Sequence, residues 1–124
     1  MPLILIVDDN QALRKQTRDF LTAHSDSEIL EAENGAETFD IINDRKPDLI
    51  LMDIRLGREN GLELTERIKE NAPDITVAIF SNFDFREYRE AAYAKGAEYF
   101  ISKSTRPGKL MALVESMLHH RPGV

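Results

Sequence analysis

Short apolar runs alternate with amphipathic segments along the chain, and this alternation predicts repeated strand–helix pairs. The first run, Leu3–Val7, is continuously apolar, which is typical of a strand that a parallel sheet buries on both faces. The next segment places Leu13, Thr17, Phe20 and Leu21 at helical spacing. Its cations fall between those positions, so we expect them on the outside of the helix: Arg14, Lys15 and Arg18.

The same alternation continues to the end of the chain. The predicted strands are Leu3–Val7, Glu28–Ala32, Asp48–Ile54, Ile75–Phe80 and Glu98–Ile101. The predicted helices lie between and after them: one following Asn10, one over Ala36–Asp44, one from Asn60 to Lys69, one from Asp84 to Gly96 and one over Leu110–Leu118.

Local signals place the starts of these helices. Asn10 is a suitable cap for the first helix, and Asn34-Gly35 is typical of a turn. Two pairs have the spacing of a capping box, in which a polar side chain and an acid three residues later satisfy the first helical N–H groups: Asn60 with Glu63, and Asp84 with Glu87.

A strand followed by a helix, repeated five times, favours one architecture. Crossover helices make neighbouring strands parallel and the connections right-handed. We therefore expect an α/β fold, (βα)5, with an open, doubly wound, five-stranded parallel sheet. At 124 residues the chain corresponds to a single domain, 1–124.

Composition excludes several classes of function. There is no Cys, which excludes disulfides, thiolate zinc sites and Cys nucleophiles. The chain has 16 basic and 22 acidic residues and a net charge of −6, so direct nucleic-acid binding by this domain is not expected. No apolar run approaches the ~18 residues of a membrane span, and we expect a cytoplasmic protein without a membrane anchor.

Five polar residues stand at or just after the carboxyl ends of predicted strands, where open parallel sheets bind their ligands. Each has a more ordinary role when taken alone, as a helix cap, a loop residue or a surface cation. Together they favour a site in which three carboxylates hold Mg²⁺, a lysine neutralises a phosphoryl group, a hydroxyl donates to it and one carboxylate acts as nucleophile. The five are Asp8, Asp9, Asp53, Ser81 and Lys103.

These residues also carry a resemblance. Over essentially its whole length the chain resembles the receiver domains of bacterial two-component response regulators, which have a flavodoxin-like sheet with strand order 2-1-3-4-5. The matching features are Ile6-Val7-Asp8-Asp9-Asn10, Glu33-Asn34-Gly35-Ala36, Pro47 to Ile54, Asn60-Gly61-Leu62-Glu63-Leu64, Ser81, Gly96-Ala97 and Lys103.

The resemblance implies a role for each position. Asp53 matches the phosphoacceptor. Asp8 and Asp9 match the acidic pair that holds Mg²⁺ together with Asp53 and the backbone carbonyl of Arg55. Such a domain is a stoichiometric phosphoacceptor that catalyses its own phosphorylation and dephosphorylation, rather than an enzyme acting on other substrates.

The remaining roles concern the phosphoryl group and the switch. Ser81 matches the hydroxyl that contacts the phosphoryl group, Lys103 the lysine that pairs with it and Phe100 the aromatic switch. Four positions depart from the family pattern: Ser104, Gly57, Asn82, where Ala or Gly is usual, and Phe100, which lacks the hydroxyl of a Tyr. Ser104 replaces the Pro that usually follows the lysine after a cis bond, and Gly57 replaces a frequent Pro, which we expect to loosen the loop after Asp53.

The resemblance also implies partners. The phosphoryl donor is a sensor histidine kinase or a phosphotransfer protein. Phosphorylation is expected to change the face formed by the fourth helix, fifth strand and fifth helix, which then binds a downstream protein or a second receiver. We expect the exposed contacts of this face to be Arg86, Arg89, Lys95 and Tyr99.

Three alternatives remain at this point. The chain could be the N-terminal receiver of a DNA-binding transcriptional regulator, or a degenerate receiver that only binds. The third alternative is a phosphatase that forms an aspartyl phosphate. That chemistry needs an acid two residues after the nucleophile, whereas Asp8 is followed at that distance by Asn10.

Overall fold

A computed structural model describes residues 1–119, so the predicted domain's last five residues, 120–124, lie outside it. The strands are β1 (Leu3–Val7), β2 (Glu28–Ala32), β3 (Leu49–Met52), β4 (Arg55–Leu56), β5 (Glu59–Asn60), β6 (Thr76–Ser81) and β7 (Tyr99–Ser102). The helices are α1 (Gln11–His24), α2 (Gly35–Arg45), α3 (Gly61–Asn71), α4 (Arg86–Ala94) and α5 (Pro107–His119).

Five of the strands form one parallel sheet in the order β2-β1-β3-β6-β7. Numbered among themselves, these strands follow the order 2-1-3-4-5, which confirms the predicted topology. The strands β1, β3 and β6 are buried along their whole length, as their largely apolar sequences predict.

The helices cover both faces of this sheet. Alternate residues of β1 point to opposite sides: Leu5 and Val7 pack in one apolar cluster, and Ile4 and Ile6 in the other. The first cluster includes residues of α2, α3 and α4, and the second residues of α1 and α5. The sheet is therefore doubly wound. The carboxyl ends of its parallel strands lie along one edge.

Three asparagines cap helices at that edge. Asn10 Oδ1 accepts from the Leu13 N–H at 3.1 Å, and Asn60 Oδ1 from the Leu62 N–H at 2.7 Å. Asn34, predicted as part of a turn, is also a cap, since its Oδ1 accepts from the Glu37 N–H at 2.9 Å. Helix α2 consequently starts at Gly35, one residue earlier than predicted.

The predicted capping box at Asp84 is wrong. The residue that precedes α4 is Phe85, which makes no side-chain capping bond, and Asp84 lies one residue too early to reach the free N–H groups of the first turn. The backbone carbonyl of Asp84 instead accepts from Arg89 Nε at 3.1 Å.

The third sheet strand is shorter than predicted. It ends at Met52, and the chain then forms a small antiparallel hairpin of β4 and β5 that the sequence pattern does not predict. Gly57 lies in the turn between them with φ of +62°, a conformation that favours glycine.

The prediction that all three cations of α1 lie on the outside of the helix is wrong for Arg14. Lys15 is exposed, but the Arg14 side chain is only 11 % exposed and is paired with Glu31 of β2. None of the helices within residues 1–119 has the length and apolar character needed to span a membrane.

Candidate functional site

Three carboxylates meet at the carboxyl edge of the sheet. Asp8 and Asp53 directly follow the neighbouring strands β1 and β3, and the Asp53 N–H donates to the Val7 carbonyl at 3.0 Å. Each of Asp8, Asp9 and Asp53 offers a carboxylate oxygen, and these oxygens lie within 4.8 Å of one another. Asp8 and Asp53 are buried, whereas Asp9 is exposed. The predicted acidic cluster is therefore present as a geometric feature.

Lys103 completes the cluster from the end of β7. Its Nζ lies 2.7 Å from Asp8 Oδ2 and 3.0 Å from Asp53 Oδ2, and the side chain is only 6 % exposed. The Lys103 N–H also donates to the Ser81 carbonyl at 3.0 Å. No peptide bond in the described residues is cis, so the Lys103–Ser104 bond is trans.

The net charge of Asp8, Asp9, Asp53 and Lys103 favours binding of a cation. One ammonium faces three carboxylates, which leaves an excess of negative charge among oxygen donors. Oxygen donors of this type suit a hard divalent ion such as Mg²⁺, which is bound in proteins by a few carboxylates and keeps several waters. The donor set therefore fits magnesium.

Burial changes the ionisation of Asp53. Removal from water raises the pKa of the Asp53 carboxyl above its usual range, and the nearby charge of Asp8 acts in the same direction. The hydrogen bond and charge of Lys103 oppose this effect. The Ile54 N–H also donates to Asp53 Oδ1 at 2.8 Å, which fixes the direction of the carboxylate.

Gly57 and Gly61 shape the site in ways that the sequence analysis missed. The Gly57 N–H donates to Asp9 Oδ2 at 2.8 Å. Proline has no N–H and could not make this bond. The loosening of the loop stays a prediction. A Cβ on Gly61 would overlap the Asp53 carbonyl oxygen and lie 2.9 Å from its carbonyl carbon. The close approach of α3 to the Asp53 backbone therefore requires glycine there.

Ser81 lies at the same edge but makes a different contact. It is fully buried, and its Oγ accepts from the Phe83 N–H at 3.1 Å. Within residues 1–119, the Ser81 hydroxyl forms no hydrogen bond with the three carboxylates. The prediction that Ser81 contacts a phosphoryl group is not tested by this geometry.

Phe100 and Arg55 each take part in a contact between a guanidinium and an aromatic ring. The Phe100 ring is buried in the core, and the Arg89 guanidinium lies 4.7 Å from its centroid. The exposed Arg55 places its guanidinium 4.5 Å from the centroid of Phe83. The switch role of Phe100 and the metal-ligand role of the Arg55 carbonyl stay predictions. Four residues were predicted as exposed contacts on the face of α4, β7 and α5. Of these, Arg86 is exposed, whereas Arg89, Lys95 and Tyr99 are partly buried.

Comparison with known proteins identifies the family. The family model for the response regulator receiver domain matches residues 4–115. The chain belongs to this family. The sequence-based identification is thereby confirmed.

Relatives of this receiver domain differ in overall length. It is 33 % identical over 117 residues to the polar-differentiation response regulator DivK of Brucella anthropi, covering 93 % of this chain and 94 % of DivK. It is 30 % identical over 109 residues to the transcriptional regulatory protein YhcZ of Bacillus subtilis, covering 87 % of this chain but 51 % of YhcZ. The chain thus spans about half the length of several curated relatives that it matches.

The solved structures agree with the sequence relatives. The crystal structure of the receiver domain of NtrX from Brucella abortus superimposes with a TM-score of 0.87 at 31 % identity, covering 94 % of this chain and 98 % of that one. A CheY-like receiver domain protein from Methanospirillum hungatei superimposes with a TM-score of 0.89 at 26 % identity, covering 96 % of this chain and 94 % of that one. The receiver is therefore a signalling domain of two-component systems.

Proposed function

We propose that the receiver accepts one phosphoryl group on Asp53 from the phosphohistidine of a sensor histidine kinase or phosphotransfer protein. The observation that carries this proposal is the position of the Asp53 carboxylate. It lies beside two other aspartates, with donor oxygens within 4.8 Å, and 3.0 Å from Lys103 at the ligand-binding edge of the sheet.

The metal in this proposal is Mg²⁺. Its ligands are Asp8, Asp9, Asp53 and the backbone carbonyl of Arg55, a set of oxygen donors that suits this ion. When bound, Mg²⁺ neutralises negative charge on the phosphoryl oxygens. The residues around it hold the carboxylates in place before the donor arrives: the Gly57 N–H binds Asp9, and Lys103 binds Asp8 and Asp53.

The transfer itself is a substitution at phosphorus. A carboxylate oxygen of Asp53 attacks the phosphorus, a P–O bond forms as the P–N bond breaks, and the electron pair leaves with the imidazole nitrogen. Asp53 must be ionised to attack, so the Lys103 charge favours the reactive form against the effect of burial. Lys103 then pairs with a phosphoryl oxygen, and the Ser81 hydroxyl donates to another.

The output in this proposal is a change in partner affinity. Movement of Ser81 toward the phosphoryl group and rearrangement of Phe100 alter the face of α4, β7 and α5. That face then binds a downstream protein or a second copy of the receiver. The domain acts stoichiometrically in the cytoplasm, turns over no other substrate and makes no direct contact with nucleic acid.

The lengths of the relatives favour two settings for this domain, which we propose to span residues 1–124. DivK, of which the matched region covers 94 %, is a relative made up almost entirely of a receiver. YhcZ, a transcriptional regulatory protein about twice as long, favours the N-terminal receiver of a DNA-binding regulator. In both settings Asp53 is the acceptor.

Phosphorylation in solution tests the proposal. The protein is incubated with Mg²⁺ and acetyl phosphate, and its intact mass is measured. We expect one phosphoryl group that is lost in base, and no phosphoryl group on Asp53→Asn or when the metal is removed. A wild-type protein that stays unmodified would instead support a receiver that only binds partners, and equal labelling of Asp53→Asn would place the acceptor elsewhere.

A further inference from the structure

Arg14 connects three elements behind the carboxylate cluster. From the first turn of α1, its Nη1 donates to the backbone carbonyl of Asp8 at 2.6 Å. Its Nε donates to Oε1 of Glu31, on the edge strand β2, at 2.8 Å. The side chain is 11 % exposed. Arg14 therefore donates two hydrogen bonds from a largely buried position. One of them goes to the backbone of Asp8, a member of the carboxylate cluster.

The position of the Asp8 carbonyl explains how Arg14 can act on both aspartates. The Asp8 carbonyl belongs to the peptide group that joins Asp8 to Asp9, so holding it fixes the plane from which both carboxylates extend. The other bonds are made elsewhere: the Asp8 N–H donates to the Ala32 carbonyl at 3.1 Å, and Asp8 Oδ1 accepts from the Asn10 N–H at 2.9 Å. Lys103 and the Gly57 N–H bind the carboxylates of Asp8 and Asp9, not the peptide group between them. Arg14 therefore supplies the side-chain restraint on the peptide between the two aspartates.

We propose that Arg14 is a positioning residue for the magnesium site. Its bond to the Asp8 carbonyl holds the Asp8 and Asp9 carboxylates in register for one ion, and Glu31 aims the guanidinium at that carbonyl. The proposal rests on the proposed function, because it assumes that these aspartates bind Mg²⁺. Magnesium requires nearly ideal octahedral geometry, so a rotation of this peptide weakens binding.

The shape of the guanidinium suits this role better than an ammonium. Arg14 reaches Glu31 and Asp8 from two different nitrogens of one rigid plane, whereas lysine offers a single flexible donor atom. Lysine at this position keeps the charge but serves the two partners less well.

Arg18 provides a matched control. Its Nη1 donates to Oε2 of the same Glu31 at 2.9 Å, but it is 38 % exposed, and its hydrogen bonds go to Glu31 and Asp19 rather than to Asp8. Arg14→Met and Arg18→Met each remove one positive charge and one partner of Glu31. Only Arg14→Met releases the Asp8 carbonyl.

Magnesium titration of the full chain, followed by amide NMR or calorimetry, tests the proposal. We expect Arg14→Met to raise the Kd for Mg²⁺ about tenfold, the scale typical of lost outer-shell contacts, and Arg18→Met to change it less than about twofold. Arg14→Lys should give an intermediate Kd. The melting temperature of the metal-free proteins is measured in parallel, because a purely structural role lowers it without changing metal affinity.

The outcomes separate this proposal from the proposed function. If the wild-type protein binds no Mg²⁺, the metal site itself is wrong. If the wild-type protein binds Mg²⁺ and Arg14→Met binds it as tightly as Arg18→Met, the positioning role is wrong whatever the melting temperatures. Should Arg14→Met fail to fold, Arg14→Lys and Glu31→Gln decide, and wild-type affinity in both overturns the proposal.

Discussion

Single residues determine the position of the Asp53 backbone. Gly61 is one of them, and no hydrophobic pattern in the sequence indicates its role. The first residue of α3 packs against the Asp53 carbonyl with no space for a Cβ. Since the neighbouring atoms are backbone, they cannot move aside as a flexible side chain does. Gly61 thus permits the approach of α3 that sets the backbone after β3.

Substitution of Gly61 should be costly. We expect Gly61→Ala to lower the free energy of unfolding by about 1–3 kcal/mol, the usual cost of overpacking, and to slow phosphorylation because Asp53 is displaced. Gly108→Ala is the control, since a Cβ there meets nothing within 4 Å and alanine favours the helix. Urea unfolding of both variants measures the difference. A Gly61→Ala protein as stable as Gly108→Ala would contradict the close approach.

Ionisation of Asp53 should destabilise the metal-free fold. Because burial raises the pKa of Asp53 in the folded state, the folded protein holds that proton more tightly than the unfolded chain. The contribution of Asp53 to stability is present below the ordinary aspartate pKa of about 3.9 and is lost as the pH rises through the folded value. Asp53→Asn removes this loss.

The stability gain of Asp53→Asn over wild type should therefore grow with pH from about pH 4 and then level off, by about 1.4 kcal/mol for each unit of pKa shift. Urea unfolding of the metal-free proteins across pH measures it. Asp40→Asn, which removes a carboxylate on the exposed surface of α2, is the control. A gain that is constant, or that shrinks as the pH rises, would show that Asp53 is not held in a desolvating environment.

Among single residues, the sequence predicts the charged groups of the site better than it predicts the backbone and side-chain contacts that position them. Asp8, Asp53 and Lys103 are predictable because each follows an apolar strand, and the ends of parallel strands share one edge. The Gly57 contact joins residues 48 apart in sequence, and the contacts of Gly61 and Arg14 join a helix to the residue that follows a strand, so no hydrophobic period reveals them. Helical periodicity even placed Arg14 on the outside, since an amphipathic pattern does not reveal which cation finds a buried acid on a neighbouring strand.

Among the elements, the long strands and helices are predictable and the short ones are not. The apolar runs predict all five sheet strands, and alternation with helices predicts their order. Strands β4 and β5 have two residues each, with exposed polar positions, so no hydrophobic period marks them. The turn between them contains Gly57 at φ of +62°, and its N–H donates to Asp9, which lies far away in the sequence.

Elements around Ser81 and Phe100 should respond together to phosphorylation. The Phe100 ring is already buried, so the expected movement is a repacking against Arg89 and α4 when the Ser81 hydroxyl turns toward the phosphoryl group. With beryllofluoride as a phosphoryl mimic, we expect amide NMR shifts to cluster at residues 81–95 and 99–103. Sedimentation with and without the mimic reports any association through this face.

Ser81→Ala is the test of that coupling, because it removes the hydroxyl and keeps the buried position. The shifts in α4 and β7 should shrink in this variant, while those beside Asp53 persist. Shifts confined to the surroundings of Asp53 in the wild-type protein would mean that Phe100 takes no part in switching.

For the whole molecule, magnesium should act as a stabilising ligand. A bound ion would relieve repulsion among the three clustered aspartates in the folded state, whereas an unfolded chain holds no such cluster. At ten times its Kd, Mg²⁺ should add about 1.4 kcal/mol to the free energy of unfolding and raise the melting temperature by roughly 5 °C. Asp9→Ala should abolish the rise, and Asp40→Ala should retain it. A melting temperature that millimolar Mg²⁺ leaves unchanged would count against the site.

The central claim for the molecule is that Asp53 is the phosphoacceptor, and borohydride mapping tests it most directly. Hydride from borohydride reduces an acyl phosphate to an alcohol with release of phosphate, which converts a phosphorylated aspartate to homoserine. The receiver is phosphorylated with acetyl phosphate and Mg²⁺, reduced, digested and sequenced by tandem mass spectrometry. The account predicts homoserine at position 53 and unchanged aspartate at positions 8 and 9. Homoserine at position 8 or 9, or a phosphorylated protein that gives none at position 53, would contradict it.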